Sequence, residues 1–136
     1  MKTILTAAAA VLALAAPAFA ENDVEKGEKD FKKCKACHSI IDADGETIVK
    51  GGKTGPNLFG IVGRQAGTVE DFGKYTDEIV ALGVDGLIWD EVELGNYIPN
   101  AKDYIGARTS MTPQKLKDVT DVIEYLAQFG AEEEAE

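Results

Sequence analysis

The stretch that decides how this chain is read is Cys34-Lys35-Ala36-Cys37-His38. Two cysteines separated by two residues, with a histidine directly after the second, form the CxxCH pattern for covalent haem attachment. At a helix end, positions three apart lie on the same side, so both thiols reach the vinyl groups along one edge of a porphyrin. His38, next in line, then turns its imidazole to the iron. Two other chemistries compete for these residues. A thioredoxin-like dithiol needs its motif between a strand and a helix in a βαβ setting, which the pattern lacks. A structural zinc site takes four protein ligands, and the chain has no third cysteine and no second histidine.

Upstream of the motif the chain begins with Lys2, an apolar run from Ile4 to Ala16, and Ala18-Phe19-Ala20. That is the order of a secretory signal peptide, and cleavage is expected between Ala20 and Glu21. The apolar run is shorter than the ~20 residues of a spanning helix, so export to the periplasm is expected rather than anchoring. Residues 21–130 then form one small domain, and the Glu-rich residues 131–136 an acidic disordered tail. The whole chain carries 14 basic and 24 acidic residues. Removing Lys2 leaves 13 against 24, or −11, which makes nucleic acid an unsuitable partner.

The pattern predicts an all-α fold of short helices and long loops. A first helix is expected over 24–37, capped by Asn22 or Asp23, with Gly27 and Phe31 on one face. From Ser39 to Lys74 glycines and prolines interrupt every period, and a long loop is expected. Short helices follow from Tyr75 to Leu82, stopped by Gly83, and from Asp90 to Ile98, with one more turn over 100–104. The last helix is expected to start at Thr112 and Pro113, bury Leu116, Val119, Val122, Ile123, Leu126 and Phe129, and stop at Gly130. So long a loop and so thin an apolar set require something for the chain to wrap. A flat apolar cofactor supplies it.

A second iron ligand is expected by elimination, with a lysine amine as the alternative to the residue chosen. His38 is the only histidine, both cysteines are consumed, and after signal removal Met111 is the only methionine. It lies on the polar segment Thr109-Ser110-Met111-Thr112-Pro113, outside the apolar stripe of the last helix, where a core filler would be misplaced. A thioether favours ferrous iron and raises the reduction potential. With both axial positions filled, no site is open to a substrate, so electron transfer rather than enzymatic catalysis is expected. The rival from another class is a small haem peroxidase or ligand-binding cytochrome with an open axial position.

These residues resemble a class I c-type cytochrome, specifically the cytochrome c2 type of alphaproteobacteria, which is similar to mitochondrial cytochrome c. Besides Cys34–His38, the resemblance rests on Lys53-Thr54-Gly55-Pro56-Asn57-Leu58, Gly63-Arg64, Trp89, Asn96-Tyr97 and the segment around Met111. It implies one haem c bound through Cys34 and Cys37, ligated by His38 and Met111, with the first and last helices crossing. It further implies that Pro56 accepts the His38 ring N–H, that Arg64, Tyr75 and Trp89 hold one propionate, that Thr109 lies near the other, and that Tyr97 lines the pocket beside the sulfur. Gly27 and Phe31 would meet Val122 and Tyr125 at the crossing. The implied role is that of a monomeric periplasmic carrier, taking electrons from a cytochrome bc1-type complex to a photosynthetic reaction centre or cytochrome oxidase. Lys29, Lys32, Lys33, Lys35, Lys50, Lys53, Lys102, Lys115 and Lys117 would surround the exposed haem edge and steer it to acidic docking sites.

Overall fold

The first and last helices cross where a glycine leaves room for a backbone. In this computed structural model, which describes residues 19–130, α1 spans Phe19–Phe31 and α5 spans Val119–Ala127. A Cβ at Gly27 would lie 2.0 Å from the carbonyl oxygen of Asp121 and 2.7 Å from Cβ of Tyr125. Only the missing side chain permits this approach. The contact is then filled by Phe31 and Val122, each 1% exposed, and by the Phe31 and Tyr125 rings, with centroids 5.5 Å apart. Gly27 and Phe31 therefore meet Val122 and Tyr125, as expected.

The ends of α1 differ from the sequence reading. Asn22 and Asp23, expected as caps, lie within the helix, because no glycine or proline from Phe19 onward halts it. Regular helix stops at Phe31, not at Cys37. The motif follows as a run of turns, in which the N–H groups of Cys34, Cys37 and His38 donate to the carbonyls of Phe31, Cys34 and Cys34 at 2.8, 3.1 and 2.9 Å. Most of the expected signal peptide, and the whole acidic tail at 131–136, lie outside the described residues.

The region expected to be loop contains a small antiparallel hairpin, β1 at Ile40–Ile41 and β2 at Thr47–Val49, with Ile40 opposite Val49. Asp42 shapes its turn, one carboxylate oxygen accepting from the N–H groups of Asp44 and Glu46 at 3.0 and 2.8 Å. Strands this short display no period, which is why alternation did not reveal them. The side chain of Asn57 then acts as a third strand for Ile41: its Oδ1 accepts from Ile41 N–H at 3.0 Å and its Nδ2 donates to Ile41 O at 2.8 Å.

Helix α2 is Asp77–Val84, capped by Thr76, and runs through Gly83 instead of stopping there. Gly86, with φ +106°, ends it: Leu87 N–H reaches Leu82 O at 2.9 Å and Gly86 N–H reaches Gly83 O at 3.0 Å. That pair of bonds is the left-handed terminus that glycine favours. Helix α3, Glu91–Tyr97, has Asp90 as its cap as expected, and α4, Ala101–Ile105, is capped by Asn100.

The largest correction concerns α5. It begins at Val119 behind an Asp118 cap, whose carboxylate accepts from Thr120 N–H at 2.9 Å, not at Thr112 and Pro113. Residues 112–117 are non-helical. Pro113 fixes a φ that suits extended chain as well as a first helical turn, and it biases Thr112 away from helix. Lys33 Nζ donates to Lys115 O at 2.9 Å and Gln114 N–H to Ile98 O at 3.4 Å, which ties the segment down. Gly130, with φ +97°, lies just past the helix end, as read.

Replacing Gly27 with alanine should destabilise the protein by ~2–3 kcal/mol through forced separation of the crossing helices. Gly95→Ala in α3 is the control, because its nearest neighbour would be 3.9 Å away. Guanidinium unfolding of the two variants measures the contrast.

Candidate functional site

The turns that follow α1 carry the two thiols. Cys34 is half-buried and Cys37 exposed, and neither is in a disulfide. Burial pushes the Cys34 thiol up to about 11, with Asp30 and Cys37 adding to it and Lys33 opposing. A dithiol oxidoreductase works through a thiolate whose pKa is lowered, so this environment is the reverse of what that rival needs. Among the described residues no three His, Cys, Asp or Glu side chains cluster as metal ligands.

His38 is held by the loop beyond the hairpin. Its Nδ1 lies 2.8 Å from Pro56 O. A carbonyl only accepts, so Nδ1 carries the proton and the lone pair is on Nε2. Burial lowers the His38 pKa, with the Pro56 hydrogen bond opposing, and the ring is therefore neutral and able to donate electrons. Gly55 lets the loop lie on the ring: a Cβ there would be 2.3 Å from Cε1.

Arg64 and Trp89 are joined by the backbone, Trp89 N–H donating to Arg64 O and Gly63 N–H to Trp89 O, both at 2.8 Å. The Arg64 guanidinium donates to Asn57 O at 3.0 Å and to Phe59 O. Burial lowers its pKa, while the nearby Tyr75 phenol opposes. The Tyr75 hydroxyl accepts from Val69 N–H at 3.2 Å. Trp89, 6% exposed, packs on Tyr97 at 4.7 Å between ring centroids. Burial raises the Tyr97 pKa and a hydrogen bond with the Thr109 side chain pulls it back. Thr109 Oγ1 also accepts from Met111 N–H at 3.3 Å, so this threonine shapes the turn that presents the methionine.

All of these side chains border one cavity. Cys34, Cys37 and His38 line it together with Pro56, Arg64 and Tyr75, and so do Trp89, Tyr97, Thr109 and Met111. Its volume is about 240 Å³. An apolar cavity of ~150 Å³ already takes a benzene-sized guest, so this one is no packing defect. The structure thus gathers all ten residues named from the sequence. It also recruits residues the sequence did not mark. Phe72 comes from an unpatterned loop and gave no signal. Ile79, Leu94 and Ile98 looked like ordinary core positions on short helices, and in sequence a side chain facing a cofactor is indistinguishable from one facing another side chain.

An α-helical shell with long loops, built around a cavity that receives two CxxCH thiols, an imidazole and a thioether, defines a small single-haem c-type cytochrome. No protein-family model matches the chain. It is, however, 52% identical over 135 residues to cytochrome c2 of Rhodobacter capsulatus, covering 93% of this chain and 97% of that protein. It is 44% identical over 146 residues to cytochrome c-550 of Paracoccus versutus, covering 100% of this chain and 94% of that one. Among solved structures, the R. capsulatus cytochrome c2 superposes with a TM-score of 0.73 at 49% identity, covering 77% of this chain and 96% of that one. The Paracoccus denitrificans cytochrome c2 gives 0.75 at 43% identity, covering 81% and 98%. The chain belongs to the cytochrome c2 family, electron-transfer proteins with one covalently bound haem c, and the CxxCH pair Cys34 and Cys37 supplies its thiols.

Burial raises the pKa of both Tyr75 and Tyr97 above the ordinary phenol value. Unfolded phenols lose their protons first, so stability should be unaffected by them below pH ~10 and fall as pH rises beyond it. Tyr97→Phe should flatten that fall, measured as the guanidinium midpoint between pH 9 and 11.

Proposed function

We propose that the protein is a periplasmic single-electron carrier whose haem iron is ligated by His38 Nε2 and Met111 sulfur. The observation that carries this reading is that the only histidine and the only methionine beyond Met1 border the same cavity as both thiols. The haem, when bound, supplies a reversible one-electron change. What the chain does around it is hold, neutralise and exclude. Pro56 O keeps the His38 proton on Nδ1. Met111 offers a soft neutral sulfur, and Thr109 fixes the turn that carries it. Arg64, Tyr75 and Trp89 would take one propionate, with Thr109 near the other. The apolar lining keeps water out, which lets both oxidation states share nearly one geometry.

With His38 and Met111 both committed to the iron, no position would be left for a substrate, which is why the reading is a carrier and not an enzyme. Among the described residues no helix is long and apolar enough to cross a membrane. The donor is taken to be a cytochrome bc1-type complex and the acceptor a photosynthetic reaction centre or cytochrome oxidase, reached through the lysines around the motif. Lys29, Lys32, Lys35, Lys50 and Lys53 are all exposed. Lys33 is different, since its ammonium is engaged with Lys115 O. Substituting it would disturb the Met111-bearing segment as well as any docking, so Lys35 is the cleaner probe.

The absorption spectrum of the oxidised protein tests the ligation: a methionine–iron charge-transfer band is expected, and Met111→Ala should abolish it while the haem stays attached. A native band that survives Met111→Ala would remove the assignment. For docking, Lys35→Glu should slow electron exchange with a bc1-type complex several-fold at low salt and converge with the parent at high salt. Equal rates at all ionic strengths would argue against a lysine-led encounter.

A further inference from the structure

Beside the cavity, one hydrogen bond joins two helices through side chains that do not themselves border it. The Tyr104 hydroxyl of α4 donates to Glu93 Oε2 of α3, and both residues are half-buried. Burial and the Glu93 carboxylate raise the Tyr104 pKa, with Asp90 adding to them, so the phenol keeps its proton and stays the donor. Glu93 and Tyr97 are one turn apart on α3 and share a side. Tyr104 reaches both of them. Its ring stands edge-on to Tyr97, with centroids 5.6 Å apart and planes at 87°, and packs on Trp89 at 6.0 Å. An edge-to-face pair fixes the orientation of a ring as well as its distance.

Beyond Tyr97 the contacts continue to the methionine. The Tyr97 phenol is hydrogen-bonded with the Thr109 side chain, and Thr109 Oγ1 accepts from Met111 N–H at 3.3 Å. An unbroken series of contacts therefore runs from Glu93 through Tyr104, Tyr97 and Thr109 to Met111. Helix α4 is a single short piece, Ala101–Ile105, with little stability of its own, so its place depends on its packing against α3. Residues 106–110 then lead straight from α4 to Met111, which gives any shift of α4 a second route to the same side chain.

We propose that Glu93 and Tyr104 are positioning residues for Met111: their hydrogen bond braces the Tyr97 ring, which through Thr109 holds the methionine turn against displacement of its sulfur. The inference rests on the reading of Met111 as an iron ligand. A hydrogen bond to a carboxylate is among the stronger kinds, and here it is partly shielded from water, so its loss is felt by what it braces. A pair that merely added stability would act on global unfolding. A brace acts on the local opening of the methionine turn, which has its own, lower free energy.

The probe is imidazole added to the oxidised holoprotein, with binding followed by loss of the methionine–iron charge-transfer band. Imidazole binds only where the sulfur has left, so its apparent affinity follows the fraction of protein with the methionine displaced. Tyr104→Phe, which removes only the hydroxyl, should tighten imidazole binding about fivefold. Glu93→Ala should do the same, and combining the two should add nothing to either single change. Glu93→Gln, whose amide oxygen still accepts, should stay within about twofold of the parent. Gly27→Ala weakens the helix crossing away from these contacts and is the control, expected to change imidazole affinity by less than about twofold. Unchanged affinity in both single variants would overturn the proposal, as would additive effects in the double variant or an equal response to Gly27→Ala. Should Gly27→Ala fail to fold, the cycle of Glu93 and Tyr104 variants decides alone. A parent protein that lacks the charge-transfer band fails the ligation reading itself, before any variant is compared, so the two failures are told apart.

Discussion

A cavity of about 240 Å³ stands where a domain of this size would ordinarily keep its core, and most other features serve its walls. Its lining side chains, among them Ile79, Leu94, Ile98 and Leu126, belong at the same time to the buried apolar cluster. The haem is therefore part of the core as much as it is the redox group. Covalent attachment through Cys34 and Cys37 makes that part of the core permanent.

Around this constraint the chain uses two kinds of support. Where backbone must come close, side chains are deleted: Gly27 lets α1 cross α5, and Gly55 lets the Pro56 loop lie on the His38 ring. Where loops lack regular partners, side chains stand in for backbone. Asn57 pairs with Ile41 as a strand would, Arg64 gathers the carbonyls of Asn57 and Phe59, and Thr109 closes the turn at Met111. Such bonds leave few buried polar groups without partners in a domain with little regular structure.

The legibility of the chain was uneven for physical reasons. Caps whose side chains bond the next turn, such as Asp90, were readable because the signal is local. The start of α5 was not, because Thr112-Pro113 is an acceptable helix entry by local rules and only the ties from Lys33 and Gln114 hold 112–117 out of the helix. Gly83 was misread as a stop for a similar reason: it faces the Ala66 carbonyl, and the termination is made by Gly86. The hairpin at 40–49 was hidden by its shortness.

The sequence by itself determined the chemistry. CxxCH with a single histidine and a single mature methionine is a statement about which atoms are available, and availability is a property of composition and spacing. Only the tertiary structure decided placement: that the ten named side chains border one cavity, that Nδ1 of His38 meets Pro56 O, and that Lys33 is engaged with Lys115 O. Those are contacts between segments far apart in the chain. Their geometry is set by helix packing and close backbone approach, which no local pattern encodes.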